Sequence, residues 1–352
     1  MKFEIKVEKV KESRISQFDP KNIGFGKLFT DHMFVADYKN GEWTDLRIVP
    51  YGPFDLSPAT SAIHYGQSIF EGMKAFANVN NDHEITLFRP EENAKRLNRS
   101  AVRMAMPEIP EALFLQALNE LLQLDRAWVP RTEGGALYVR PYMFATDDFI
   151  GVKPSDNYRF AIFCCPVGPY YNKALRVKVE EDFSRAAPGG VGFTKCAGNY
   201  GAALYPTALA QKEGYDQILW TDPIEHKFVE ETGTTNFFAV FENEIVTPSL
   251  THTLLAGITR ESVIIGLKHL GYTVTERPLS VQELIDRNTE IKELFITGTA
   301  ATLINLDGFG FRGTYYNVYD ESRNQASQSV KKFLDDLKVC RVSDPFNWVE
   351  IL

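Results

Sequence analysis

Lys195 stands alone in the run PGGVGFTKCAGNYGAALYP, residues 188–206, with glycines on both sides and no other charge in the segment. A lysine on an open face is a solvated cation. Where backbone packs closely on both sides the amine is desolvated, and a desolvated amine is a usable nucleophile. A second segment, FVEETGTTNFF, sets Glu230 and Glu231 at the end of an apolar strand before a Gly-Thr-Thr turn. Strand alternation turns one carboxylate inward, where it needs a cation, and leaves the other wet. Two surface carboxylates are the simpler account of that segment taken alone. In LLAGITRES a glycine precedes Ile258 and Thr259 at a helix start. Free N–H groups and the positive dipole end can cradle an anion there, although threonine capping explains the same residues. Gly298 and Thr299 in ITGTAATL repeat the arrangement after another strand.

Arg96, Arg99 and Arg103 share a helix face, which leaves open whether one of them reaches a phosphate or all three are solvated. Tyr138 and Arg140 lie two apart on a strand and so face one side. An arginine fork beside a tyrosine can hold a carboxylate; an edge-strand arginine in water is the alternative. Phe25, Tyr65, Phe70, Tyr138, Tyr170 and Tyr171 are each core residues by default, and only their company suggests a pocket. Together these parts comprise an isolated lysine, a carboxylate for a ring nitrogen, Tyr200 five residues after the lysine, two phosphate turns and a carboxylate-binding arginine. The set suits pyridoxal 5′-phosphate (PLP), whose aldehyde condenses with a lysine, whose protonated pyridine nitrogen needs an anion and whose phosphate needs N–H donors.

The chain resembles the branched-chain amino acid aminotransferases, PLP enzymes of fold type IV. The motifs that carry the likeness run in order through FGKLFTDHMF, IHYGQSIFEGMKAF, LFRPEENAKRLNRSAVRM, LYVRP, CPVGPYY, the lysine segment, VEETGTTNFF, LAGITRES and FITGTAA, nearly the full length. The resemblance implies that Lys195 bonds the cofactor, Glu231 pairs with the pyridine nitrogen and Tyr200 with the ring hydroxyl oxygen. It further implies a phosphate held by Arg96, Ile258, Thr259 and Thr299, with Arg185 near the cofactor. The substrate pocket would comprise Phe25, Tyr65, Phe70, Tyr138, Arg140, Tyr170 and Thr234, with Thr235 and Ala300 near the α-carboxylate. Ile150 and Val152 match positions that reach across from a second subunit, which implies a homodimer. The implied reaction is ping-pong transamination between leucine, isoleucine or valine and 2-oxoglutarate, giving branched-chain 2-oxo acids and L-glutamate. Ala301 and Ile304 stand where some members carry a redox-sensing Cys-x-x-Cys, and Thr235 stands where some carry methionine. A transaminase acting on D-amino acids or amines would share the lysine, glutamate and phosphate turns; Tyr138-Val139-Arg140-Pro141 and FGKLFTDHM favour the branched-chain reading. A non-catalytic scaffold of the same fold would have lost Lys195 or Glu231, and both are present.

The elements that must position these residues divide at about residue 170. The expectation is an α+β chain with a smaller N-terminal α/β domain (1–169), a connection (170–180) and a larger, barrel-like C-terminal domain (181–352) that carries the lysine. Asn40-Gly41 reads as a hairpin turn, Pro90 as a helix start with Ala94, Leu97 and Ala101 on its apolar stripe and Pro107 as its stop, and Ser280-x-x-Glu283 as a capping box. With 352 residues, 44% of them hydrophobic and 24% charged, the chain has ordinary globular composition. A net charge of −8 argues against a nucleic-acid partner, and no apolar stretch reaches membrane-spanning length. Four cysteines without metal-ligand spacing read as reduced thiols, and the N-terminal sequence lacks a targeting pattern, so the expected setting is the cytoplasm.

Overall fold

The computed structural model describes residues 2–168, 173–299 and 302–352. The chain forms two compact units, one of residues 1–170, 194–198 and 337–352, the other of 171–193 and 199–336.

The first unit is built on a nine-stranded sheet. Its neighbours run Lys6–Val7, Glu42–Pro50, His32–Lys39, Tyr158–Val167, Ala136–Ala145, Met73–Ala77, Ile85–Phe88 and Val349–Ile351, and Ser68–Phe70 also pairs with Ala136–Ala145. Asn40 and Gly41 both have positive φ, 53° and 84°, the geometry that turns one strand tightly into the next. Ala136–Ala145 sits inside the sheet and is buried along nearly all its length, with Arg140 and Tyr142 only partly covered. The helix Pro90–Arg103 opens with Glu91 and Glu92 in its first turn and buries Ala94, Leu97 and Ala101 completely. It ends four residues before Pro107. It packs against the helix Glu111–Leu124, whose Leu113, Phe114, Ala117, Leu118 and Leu121 are likewise fully buried. This stripe spacing, three to four residues apart, is what glues both helices to the core.

The second unit contains a closed six-stranded barrel. The order is Val229–Thr232, Gln217–Thr221, Leu175–Val179, Thr302–Phe311, Glu293–Gly298 and Asn236–Val240, closed by pairing of Glu231 with Asn236. Leu175, Val177, Leu219, Phe237, Ala239, Leu294, Ile296, Leu306 and Phe309 fill one core cluster. Strand Thr302–Phe311 has no strand-like reading in the sequence because Gly308 and Gly310 interrupt it. A Cβ at Gly308 would overlap the Tyr316 carbonyl oxygen and one at Gly310 the Tyr215 hydroxyl, so close approach demands glycine there. Ser280 caps the helix Val281–Asp286 by accepting from the Glu283 amide at 2.9 Å.

One expectation about domains needs correcting. Lys195, with residues 194–198 around it, belongs to the first unit and not to the C-terminal one, while the rest of the run 188–206 falls in the second. The Phe70 amide donates to the Lys195 carbonyl at 3.0 Å, the Lys195 amide donates to Ser100 Oγ at 3.0 Å, and Cys196 forms an isolated bridge with Ile69. The C-terminal strand also joins the first sheet, so this unit holds the greater share of the chain. Among the described residues no helix is long and apolar enough to cross a membrane.

Candidate active site

In the first unit the strand Ser68–Phe70 and the helix Pro90–Arg103 converge on Lys195. Its Nζ lies 4.9 Å from the centre of the Phe70 ring. Burial, and then the positive charge of Arg96, push this amine down from its ordinary 10.5 to about 8, while Glu71 opposes the fall. Glu71 follows Phe70 and is fully buried; Arg96 grips it with both ends of its fork, Nε to Oε1 at 2.7 Å and Nη2 to Oε2 at 2.8 Å. Asn93 Nδ2 adds a bond to Oε2 at 2.7 Å. Burial alone would raise this carboxyl; the charge and hydrogen bonds of Arg96, with Lys195 and Asn93, overcome it and hold the group ionised below its ordinary value.

Phe70, Tyr138 and Arg140 form a wall beside the amine. The Arg140 guanidinium lies 4.6 Å from the Phe70 ring centre and 5.3 Å from that of Tyr138, and its Nη2 donates to the Tyr138 hydroxyl at 2.9 Å. Its Nε is a buried donor with no partner, and among the described residues no carboxylate pairs with it. Phe25 packs edge-on to Tyr138 at 5.3 Å. Gly72 is required here, since a Cβ would overlap the Tyr138 hydroxyl.

In the second unit both Glu230 and Glu231 are buried, against the expectation that one stays wet. Glu231 Oε1 pairs with Arg185 Nη2 at 2.9 Å, with both side chains only 6% exposed. Its Oε2 accepts from the Leu255 amide at 3.2 Å and from Asn236 Nδ2 at 3.3 Å. The helix Ile258–His269 begins just beyond, at an N-cap, Gly257, that has no side chain to satisfy the leading amides. A Cβ at Gly257 would overlap Asn236 Oδ1, so glycine, asparagine and glutamate are fitted to one another. Thr259 lies in that helix's first turn. Thr299 follows Gly298, where a Cβ would stand 2.6 Å from Thr235 Cγ2. Tyr200 is half-buried on the helix Ala197–Lys212.

Of the three arginines on one helix, the structure buries Arg96 and leaves Arg99 and Arg103 exposed. Thr234 is exposed and Thr235 hydrogen-bonds Thr232 through their hydroxyls. Tyr65 ends the short helix Ser61–Tyr65 and is 40% exposed. Tyr170 and Ala300 lie outside the described residues. Ile150 and Val152 are 60% and 91% exposed. Glu71 is the residue the sequence reading passed over; a glutamate set between Ile69-Phe70 and Gly72-Met73 is the signal that could have found it.

A desolvated amine, a buried carboxylate with its arginine and an uncapped helix start are the equipment of an enzyme acting on amines with an anionic cofactor. The family Amino-transferase class IV matches residues 68–306, and the chain belongs to it. Branched-chain-amino-acid transaminase 1 of Bacillus subtilis (strain 168) is 44% identical over 337 residues, 94% of each chain. A probable branched-chain-amino-acid aminotransferase of Staphylococcus aureus (strain MRSA252) is 46% identical over 98% of this chain and 97% of its own length. Among solved structures, the branched-chain amino acid aminotransferase of Escherichia coli superposes with a TM-score of 0.72 at 25% identity, over 91% of this chain and 98% of that one. The chain thus stands among the branched-chain transaminases of fold type IV.

Proposed function

We propose that the chain transfers the amino group between the branched-chain L-amino acids leucine, isoleucine and valine and 2-oxoglutarate, by a ping-pong mechanism with PLP as cofactor. The observation that carries this reading is the Lys195 amine, desolvated to about 8 beside the Glu71–Arg96 pair, in a chain of this family. The donor set fits the cofactor: besides that amine there are a buried carboxylate, Glu231, and a buried Arg185 Nε without a partner. Lys195 would bond the aldehyde carbon, Glu231 would pair with the ring nitrogen with Arg185 close by, Tyr200 would face the ring hydroxyl, and Arg96, Ile258, Thr259 and Thr299 would hold the phosphate. PLP supplies an electron sink for the bonds to the substrate's Cα.

The chain's residues do the rest. An amine that titrates near 8 is a good base at neutral pH and its ammonium a good acid, so Lys195 Nζ would take the substrate's Cα proton and, as the ammonium, give it back. Glu231, paired with Arg185, would stand beside the ring nitrogen as an anion that favours its protonated form. Phe25, Tyr65, Phe70 and Tyr138 give an apolar lining, worth about 2 kcal/mol for a leucine-sized group, and Tyr170 is assigned to the same pocket by the resemblance alone. Arg140 serves the other substrate: its unpartnered Nε and its fork suit the side-chain carboxylate of glutamate and 2-oxoglutarate. Thr234 is assigned to the same pocket, and Thr235 and Ala300 to the α-carboxylate. A homodimer is part of the proposal, supported by the exposure of Ile150 and Val152, apolar residues that a second copy would cover. Free cysteines, Cys164, Cys165, Cys196 and Cys340, suit a cytoplasmic setting.

The test is reduction of the holoprotein with borohydride, followed by peptide mapping and by assays of L-leucine and D-alanine, each with 2-oxoglutarate. The reading requires the pyridoxyl label on Lys195 and turnover of L-leucine; a label elsewhere, or D-alanine turnover alone, overturns it.

A further inference from the structure

Glu230 has no place in the reaction above, yet it is buried, and its hydrogen-bond partner Thr253 is buried too. The Thr253 hydroxyl donates to Glu230 Oε1, while the Thr253 carbonyl accepts from Arg185 Nη2. The same Arg185 nitrogen is the one that meets Glu231 Oε1. Thr251 Oγ1 contacts Thr253 Oγ1 at 2.7 Å, and Gly192 allows the close approach, since a Cβ there would stand 2.9 Å from both Thr253 Cα and its carbonyl oxygen. Threonine 253 is therefore fixed from three sides, and it links a buried acid to the arginine that serves Glu231.

We propose that Glu230 and Thr253 are positioning residues that hold Arg185 on Glu231, and that gain or loss of the Glu230 proton tunes how firmly Arg185 serves that carboxylate. The inference rests on the reading that Glu231 pairs with the cofactor's ring nitrogen. Burial, joined by the charges of Glu231 and Asp222, raises the Glu230 carboxyl to about 7 against the opposing pull of the Thr253 hydroxyl and Arg185. Protonated, Glu230 is a neutral prop for Thr253. Ionised, it is a second anion competing for Arg185, and the hold of Arg185 on Glu231 loosens. The bound cofactor's ring nitrogen would then report a transition near neutral pH.

The experiment follows the visible absorbance of the holoenzyme, and kcat and KM for L-leucine separately, from pH 6 to 9 in wild type, E230Q and T253V. The wild type is expected to show an inflection near pH 7 in the spectrum and in kcat. E230Q, which cannot ionise, is expected to lose it. T253V removes a hydrogen bond that favours the ionised form, so its inflection should move up by about one pH unit. An inflection absent from wild type, retained in E230Q or unmoved in T253V overturns the proposal, because a purely structural role would lower stability without moving a titration. Borohydride mapping on the same preparations separates the two claims: a label off Lys195 sinks the functional reading, and a label on Lys195 with an unchanged inflection in E230Q sinks only this one.

Discussion

The desolvated amine of Lys195 should cost the cofactor-free protein stability, and Lys195→Met measures that cost. A lysine whose folded value lies below its unfolded value binds fewer protons when folded, so the folded state gains stability as pH rises between the two. Taking 10.5 for the unfolded chain and about 8 for the folded one, the penalty is about 3 kcal/mol at pH 7, about 2 kcal/mol at pH 9 and roughly 1 kcal/mol at pH 10. Methionine has a similar length and an apolar end that suits the Phe70 ring 4.9 Å from the amine, and it leaves the Glu71–Arg96 pair intact. Urea unfolding of cofactor-stripped wild type and K195M should therefore show the inactive variant more stable at pH 7, with a gap that shrinks steadily towards pH 10. A variant no more stable at pH 7, or a gap that stays constant with pH, would refute the claim that the fold holds this amine out of water.

Glu71→Gln leaves Arg96 buried without its anion, a change that costs about 3–5 kcal/mol when a buried pair is broken from one side. The same variant removes the charge that lifts Lys195, so pH-dependent labelling of that amine in the cofactor-stripped protein should show its midpoint falling below about 8. Arg140→Ala should cut kcat/KM for glutamate and 2-oxoglutarate far more than for leucine, and equal losses on both would remove Arg140 from that role. Glu231→Gln should slow Cα proton abstraction, read as a substrate deuterium isotope effect on a lowered kcat, more than it weakens cofactor binding. Ser280→Ala, which touches only a helix cap in the second unit, should lower stability by about 1 kcal/mol in urea and leave turnover unaltered.

Local signals were legible in the sequence because their physics is local. Asn40-Gly41 takes the two positive φ values its residues favour, Pro90 with Glu91 and Glu92 opens a helix, and Ser280 with Glu283 caps another. Lys195 was legible as the one charge in a glycine-rich run, although its desolvation comes from burial and from Arg96 and not from close packing at Gly198 or Gly201, where an added Cβ would meet open space. What the sequence hid is what distant residues decide. Gly308 and Gly310 look like breaks until Tyr316 and Tyr215 are seen lying on them, and Lys195 looks C-terminal until its main chain is seen bonded to Phe70 and Ser100.

The carboxylates show the limit most sharply. Strand alternation predicts one wet glutamate at 230–231, yet both are buried, because Arg185 and Thr253 reach them from separate loops. Glu71 went unread because its cation sits 25 residues away on a helix. An ionised side chain can be buried only when a partner is already waiting. The pattern around a glutamate therefore says little about its fate, whereas an arginine at a buried helix position, as Arg96 is beside Leu97 and Ala94, announces that an anion must be found for it. With Glu71 already neutralising its fork, Arg96 sits in the core without an unpaired charge, so the phosphate role proposed for it would not require the phosphate to be present for the site to fold.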